Sequence, residues 1–458
     1  MRHRFARLAA ALPFCALAPG MGPRAAVAQE TIPPVRPLGP VVAVSKDPMS
    51  YIATIRPMSN GSVLALDTRA KRVVLFDSTL AHSAAVVDTT SGTQKAYGAM
   101  QGWLFPFTGD SSLFADYASL SFLVLDPAGK VGRVMAAPRG AGGALAYLSG
   151  TLVDAQGNVV SEQTEAGAER MAGAPPGPLV ASARGAGPGG DPAPNVETAV
   201  RDSEVLVRVN LETRQLVRTV WVQDGTTYRA PGGTAPAGNP IMTTLRNPMR
   251  LNDLWTLMPD GTIAVIREHD YHIDWVAPDG SLTSSPKIQH QWVHLTDSAK
   301  SAILDSARAA DSVRGLAGKR RVDSIVAAAK KSGLVVNTLS SGAVTIQNAN
   351  GGITVYGLGG VGQYVDAVDL PDYLPPFDGP DTLGTVVKAD ADGNLWIRVR
   401  LPKRLEGGAV YDVVNRQGKL VDRVQVPGGT TLVGFIPGYA FLMSREGAGY
   451  VIARARIR

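Results

Sequence analysis

Short runs of alternating apolar and polar residues, each closed by a turn signal, recur along most of the chain. The stretch 250–288, RLNDLWTLMPDGTIAVIREHDYHIDWVAPDGSLTSSPKI, shows the unit without interruption. Residues 254–257 predict a short strand, and Pro259-Asp260-Gly261 a tight turn with glycine where φ must be positive. A second strand covers 262–267. Glu268-His269-Asp270 then turns the chain into a third strand, in which Tyr271, Ile273 and Trp275 share one face by the two-residue period. Pro278-Asp279-Gly280 leads to a more polar fourth strand, as suits an outer edge. One such sheet cannot bury both its faces alone, so it requires neighbours.

The chain supplies them. Strands are expected over 51–55, 63–66, 73–76 and 84–87, then over 104–107, 113–115, 122–125 and 131–135. Asp67 to Asp77 and Asp116 to Asp126 are both ten residues apart, and Gly61, Gly109 and Gly157 fall at intervals of forty-eight. That spacing marks an internal repeat. A third unit reads 151–153, 159–160, 205–209 and 216–222, and the stretch 250–288 is the fourth. The fifth runs 384–387, 395–399, 410–414 and 420–426.

Two stretches break the pattern. Residues 164–199 are rich in Gly, Pro and Ala without periodicity, which reads as a disordered insertion between the second and third strands of unit three. Between units four and five, Thr296-Asp297 caps a helical pattern with Ala299, Ile303, Ala307 and Ala310 on one face. Gly315 and Gly318 interrupt it, and Val322, Ile325, Val326 and Ala329 resume it. A helical hairpin over 296–333 is expected, followed by an extra β-hairpin within 334–356. The last unit, 432–436, 440–443 and 451–457, lacks a fourth strand. The isolated strand 41–45 can supply it, closing a ring of six blades and removing the sheet edges that a linear array leaves open. The fold class is therefore all-β, a six-bladed β-propeller with a helical-hairpin insertion and a Gly/Pro-rich disordered insertion.

Units of the form strand, D-x-x-G turn, strand, strand ending in Asp, turn, strand resemble the blades of NHL-type six-bladed β-propellers and the wider TolB-like superfamily. The resemblance covers nearly all of the chain after residue 28 except the two insertions. It implies a fold more than an activity, since that superfamily includes protein-binding scaffolds, sugar-lactone hydrolases and lyases.

Composition narrows the setting. Arg2, Arg4 and Arg7, an apolar run from Leu8 to Pro19 and the small-residue pattern Ala26-Val27-Ala28 read as a secretory signal peptide over 1–28, cleaved after Ala28. The expected location is secreted or periplasmic. Cys15, the single cysteine, falls inside that leader, so the remaining chain, 29–458, has neither disulfide nor thiolate chemistry. Of the formal charge of +6, the four leader arginines Arg2, Arg4, Arg7 and Arg24 supply four, leaving +2. A nucleic-acid or membrane-surface reading loses its basis in charge, and no later stretch has the length of a membrane span.

In a four-strand meander, the first and third connections lie on one face of the ring. The second connection and the link to the next blade lie on the other. The former are all short turns, and both insertions fall among the latter, so a ligand is expected at the decorated face. Ends of second strands ring its channel mouth with Asp67, Arg69, Asp116, Tyr117, Glu162, Glu268, His269, Asp270, Arg398 and Arg400, while Arg250, Asn252 and Asp253 enter from the adjacent link. Mixed acids and arginines suit a polar or charged ligand.

Other motifs carry less. Gly357-Leu358-Gly359-Gly360-Val361-Gly362 looks like a dinucleotide fingerprint, but prolines at 371, 375 and 376 leave little room for the helix that would receive a pyrophosphate. His290 and His294 would share a metal only across a helical turn, and the intervening residues read as strand or loop. A G-x-S-x-G elbow is absent, and no catalytic residue is assigned. The expectation is a monomeric binding or scaffold module for a polar small molecule, peptide or envelope partner, with neither nucleic acid nor a membrane span. The competing expectation is a lactonase-like, metal-dependent hydrolase or lyase in which acids at the mouth hold Ca2+ through oxygen ligands.

Overall fold

Each alternating run becomes one strand of an antiparallel meander in the computed structural model. It describes residues 32–89, 97, 102–116, 118–137, 151–154, 156–163, 168, 198–234, 240–338, 344–347, 353–356, 363–377, 385–403 and 405–458. The leader, Tyr117 and the glycine-rich 357–362 lie outside these residues. So does the insertion 164–199, apart from Ala168 and the two residues that open the next strand.

Six blades follow in order. Blade 1 comprises Ile52–Pro57, Val63–Asp67, Arg72–Phe76 and Ser83–Val87, and blade 2 Gly102–Pro106, Ser112–Asp116, Ser121–Leu125 and Val131–Ala136. Blade 3 comprises Leu152–Val153, Asn158–Gln163, Thr198–Asn210 and Leu216–Thr234, and blade 4 Leu254–Leu257, Ile263–Arg267, His272–Val276 and Leu282–Ser284. Blade 5 comprises Val387–Ala389, Leu395–Val399, Val410–Val414 and Leu420–Gln425. Blade 6 joins Thr430–Ile436, Tyr439–Glu446 and Gly449–Arg456 to Val41–Val44.

Neighbouring blades cover both faces of the middle strands, so Val63–Asp67, Ser112–Asp116 and Val410–Val414 are buried along their whole length. Apolar clusters fill the spaces between blades. Leu64 and Leu66 meet Leu104 and Phe114 between blades 1 and 2, and Phe105 and Phe107 meet Val153 and Val159 between blades 2 and 3. Trp396 and Tyr411 meet Leu432 and Leu442 between blades 5 and 6. Each fully buried side chain of this kind contributes ~1.5–3 kcal/mol.

The turn face repeats one device. Asp154 Oδ1 accepts from the backbone N–H of Gln156 at 3.0 Å and of Asn158 at 2.8 Å, and Asp390 does the same with Asp392 and Asn394. Gly157 in that turn has φ +80°, and a Cβ there would stand 2.9 Å from Phe107 of the preceding blade. The D-x-x-G spacing thus serves turn geometry and close approach of blades.

The ring closes as the strand inventory predicts. Val41–Val44 pairs antiparallel with Gly449–Arg456, Val41 opposite Ala455. A second clasp was not foreseen: Val35–Pro37 adds in parallel to the outer strand of blade 5, Leu420–Gln425. There the Arg36 guanidinium grips Asp422 at 2.6 and 2.9 Å.

The insertion between blades 4 and 5 departs from expectation. It is one continuous helix, α1 (Asp297–Lys331), rather than a helical hairpin. Two interior glycines cost ~1 kcal/mol each relative to alanine, and packing on either side of them outweighs that. Leu304 is buried in the first half, Val322 and Ala329 in the second. The hairpin expected within 334–356 is a three-stranded sheet, Val335–Thr338, Val344–Gln347 and Ile353–Tyr356, packed against the second half of α1. Blade 3 also exceeds its predicted bounds. Its outer strand runs through Asp224-Gly225 to Thr234 and takes a fifth strand, Pro240–Thr244.

Candidate functional site

Every one of these elaborations leaves the ring at a second connection or a blade-to-blade link, hence at one face. They are also stitched together there. Arg246 N donates to Gln363 O at 2.7 Å, tying the link after blade 3 to the chain returning from α1. Met249, Leu295, Leu304, Val365 and Leu370 form a satellite core beneath that seam. Buried Lys300 on α1 donates to Leu370 O at 3.1 Å and to Asp372 at 2.8 Å, and buried Asp311 pairs with Arg246 and Arg314. The decoration is thus a braced rim.

The residues expected around the mouth are spread over blades 1 to 5, and several latch the blades themselves. Asp67, fully buried, accepts from the N–H groups of Ser50 at 2.9 Å, Tyr51 at 3.2 Å and Ala70 at 2.9 Å. It therefore fastens the chain entering blade 1. Asp116 accepts from Ala118 N at 3.1 Å and Ser119 Oγ at 2.6 Å in its own turn. Glu162 of blade 3 accepts from Trp255 Nε1 of blade 4 at 2.5 Å. Arg69 and His269 are exposed, and Arg398 is half-buried in blade 5. Asp270 engages His272 at 2.5 Å and Lys287 at 3.3 Å. Burial pushes its carboxyl up, but these partners outweigh burial and hold it below the usual carboxylate range.

Blade 4 gathers the most. Glu268 accepts from the N–H of Asn252 and donates its own N–H to Asp253 at 3.3 Å. Arg267 lies between Asp253 at 2.6 Å and Asp274 at 2.7 Å. Asn252 and Glu268 are both almost wholly enclosed, and half-buried Arg250 lends its carbonyl to Asn252 Nδ2 at 3.3 Å. Among the described residues, Asn252 Oδ1 is buried with no hydrogen-bond partner. A buried acceptor in that condition costs ~1–3 kcal/mol, and an incoming donor or cation relieves it. Among the described residues no three His, Cys, Asp or Glu side chains converge in metal-binding geometry.

The chain is similar to several solved propellers. They include a gluconolactonase from Xanthomonas campestris, at 11% identity and TM-score 0.32 over 92% of this chain and 99% of that one. A calcium-binding regucalcin from Agrobacterium tumefaciens aligns at 11% identity and TM-score 0.31 over 93% and 98%. Virginiamycin B lyase from Staphylococcus aureus aligns at 7% identity and TM-score 0.29 over 92% and 99%. At such values the likeness bears on no activity. No protein-family model and no curated protein matches the chain.

A second polar group went unnoticed in the sequence. Tyr271, expected within the third strand of blade 4, is instead the turn residue just before it, with φ +52°; it is fully buried and donates its hydroxyl to Asp412 of blade 5 at 3.2 Å. Arg423 Nε meets the other oxygen of Asp412 at 2.8 Å. Burial pushes both the Tyr271 hydroxyl and the Asp412 carboxyl up, Arg423 offsetting part of the effect on Asp412. The signal was present: Asp412 is a charge inside an otherwise apolar strand run, and burial demands that such a charge be paired. His290 leans edge-on against Tyr271, ring centroids 5.6 Å apart. Burial and the Arg423 charge lower its pKa to about 4, so its ring is neutral at pH 7.

Proposed function

We propose that this chain is an extracytoplasmic binding module, of the NHL- or TolB-like kind, that takes a polar ligand at its decorated face. The observation that carries the reading is Asn252 Oδ1, an enclosed acceptor with no partner among the described residues, next to Glu268 on the side of the ring where α1 is braced. A ligand rich in N–H or O–H donors answers that acceptor. The signal-like leader supports action outside the cytoplasm, and no helix among the described residues is long and apolar enough to cross a membrane.

Thermal-shift screening of polar metabolites and short peptides tests the reading, with Asn252→Leu as control. Leucine has the same branched outline, a little more bulk and no acceptor, so it removes the stabilisation by any ligand that uses this oxygen, while losing the Nδ2 hydrogen bond to Arg250 O; each variant is therefore compared with its own unliganded melting temperature. Stabilisation that persists unchanged in Asn252→Leu rejects this site.

The alternative, a divalent-cation lactonase or lyase, draws on the same two oxygen-bearing groups. Its difficulty is supply: calcium takes 6–8 oxygens, and those of Asp67 and Asp116 already accept protein hydrogen bonds. Calcium titration followed by thermal unfolding decides between them. Stabilisation that disappears in Glu268→Gln or Asp116→Asn, together with lactone turnover, favours the enzyme.

A further inference from the structure

We propose that Trp292, Tyr373 and His290 form a binding site for the ring of a neutral carbohydrate, on the strap between blades 4 and 5. The site uses none of the groups around Asn252 and stands apart from the reading above. Trp292 is 38% exposed and Tyr373 49%, large values for such rings. They stand edge to face, centroids 6.2 Å apart, and Trp292 meets His290 in the same manner at 5.2 Å.

Both rings ride on pinned backbone. Leu295 N donates to Asp372 O and Leu374 N to Val293 O, each at 2.8 Å, and His294 bridges Tyr373 between them. Exposed rings held so firmly present an apolar surface whose ordering cost is already met before a ligand arrives. The electron-rich faces attract the C–H edges of a partner.

The imidazole selects what that partner carries. His290 Nδ1 is buried without a hydrogen-bond partner, leaving Nε2 as the nitrogen able to meet a ligand. The ring is neutral, so Nε2 meets a hydroxyl as acceptor or as donor according to the tautomer, and a hydroxyl can answer either. Burial, with a smaller contribution from Arg423, keeps the ring uncharged, so it brings no charge of its own to the site. Asp372, the residue before Tyr373, is engaged by Lys300. Apolar C–H faces, hydroxyls and no charge together describe a pyranose.

Calorimetric titration of the full chain with cellohexaose, chitohexaose and maltohexaose tests the assignment. At least one hexasaccharide is expected to bind saturably with Kd below about 1 mM. Trp292→Ala and Tyr373→Ala each weaken it about tenfold, and His290→Phe, which keeps a ring in place, about three- to tenfold. Asn252→Leu leaves sugar binding unchanged, so failure here is distinguishable from failure at the mouth. Absence of saturable binding by all three sugars, or binding unaltered in Trp292→Ala, overturns the proposal. So does binding of tetramethylammonium in place of the sugars, which marks a cation cage.

Discussion

Tyr271 has φ +52°, the left-handed position that Lys71 and Leu120 also occupy after the second strands of blades 1 and 2. Its backbone therefore follows from the repeat, while its use is particular to blade 4, where the hydroxyl crosses to Asp412. Tyr271→Phe removes one hydrogen bond and is expected to cost about 1 kcal/mol. Arg423→Met strips the counter-charge from a buried carboxylate and is expected to cost about 3–5 kcal/mol. Urea unfolding of both variants at pH 7 checks the contrast, and equal losses would remove Arg423 from this role. His290 adds a pH dependence. An unfolded imidazole takes its proton near pH 6.5, the folded one only at about 4. Between those values the unfolded chain binds more protons, so stability falls as pH drops through the window, by at most about 3 kcal/mol. His290→Phe flattens that part of the curve of urea midpoint against pH.

Elements show where reading from residues succeeds and where it stops. The strands of blades 1, 2 and 4 were legible because alternation and D-x-x-G turns agree there. Blade 3 was legible only in part, since Asp224-Gly225 is a turn signal that pairing with Thr198–Asn210 overrides. Gly315 and Gly318 misled for a related reason: glycine weakens a helix by an amount that tertiary contacts can exceed, and the contacts of α1 come from far along the chain. A Cβ at Gly318 meets nothing within 4 Å, so Gly318→Ala is expected to stabilise the protein by about 0.5–1 kcal/mol. A loss instead, measured by chemical denaturation, would argue for a hinge at that point. The latches were legible as polar strand ends, but the partners of Asp67 are backbone N–H groups, which no side-chain pattern announces.

For the whole molecule, closure was legible because one unit lacked a strand and another strand lacked a sheet. The clasp at Val35–Pro37 was not, since a short proline-flanked run carries no alternation to read. Both clasps matter to the seam. Arg36→Ala is expected to lower stability by about 1 kcal/mol or less, because the guanidinium is partly exposed. Removing residues 33–45 bares the edge of Gly449–Arg456 and is expected to give concentration-dependent association by light scattering. A deletion variant that stays dispersed and melts as sharply as the full chain would show the seam to be dispensable. The strand that fills the last blade comes from the other end of the chain. During synthesis Val41–Val44 therefore waits without its partner strand until Gly449–Arg456 has emerged. Chains released early carry an unfilled edge, and they are the ones a protease or chaperone would recognise first.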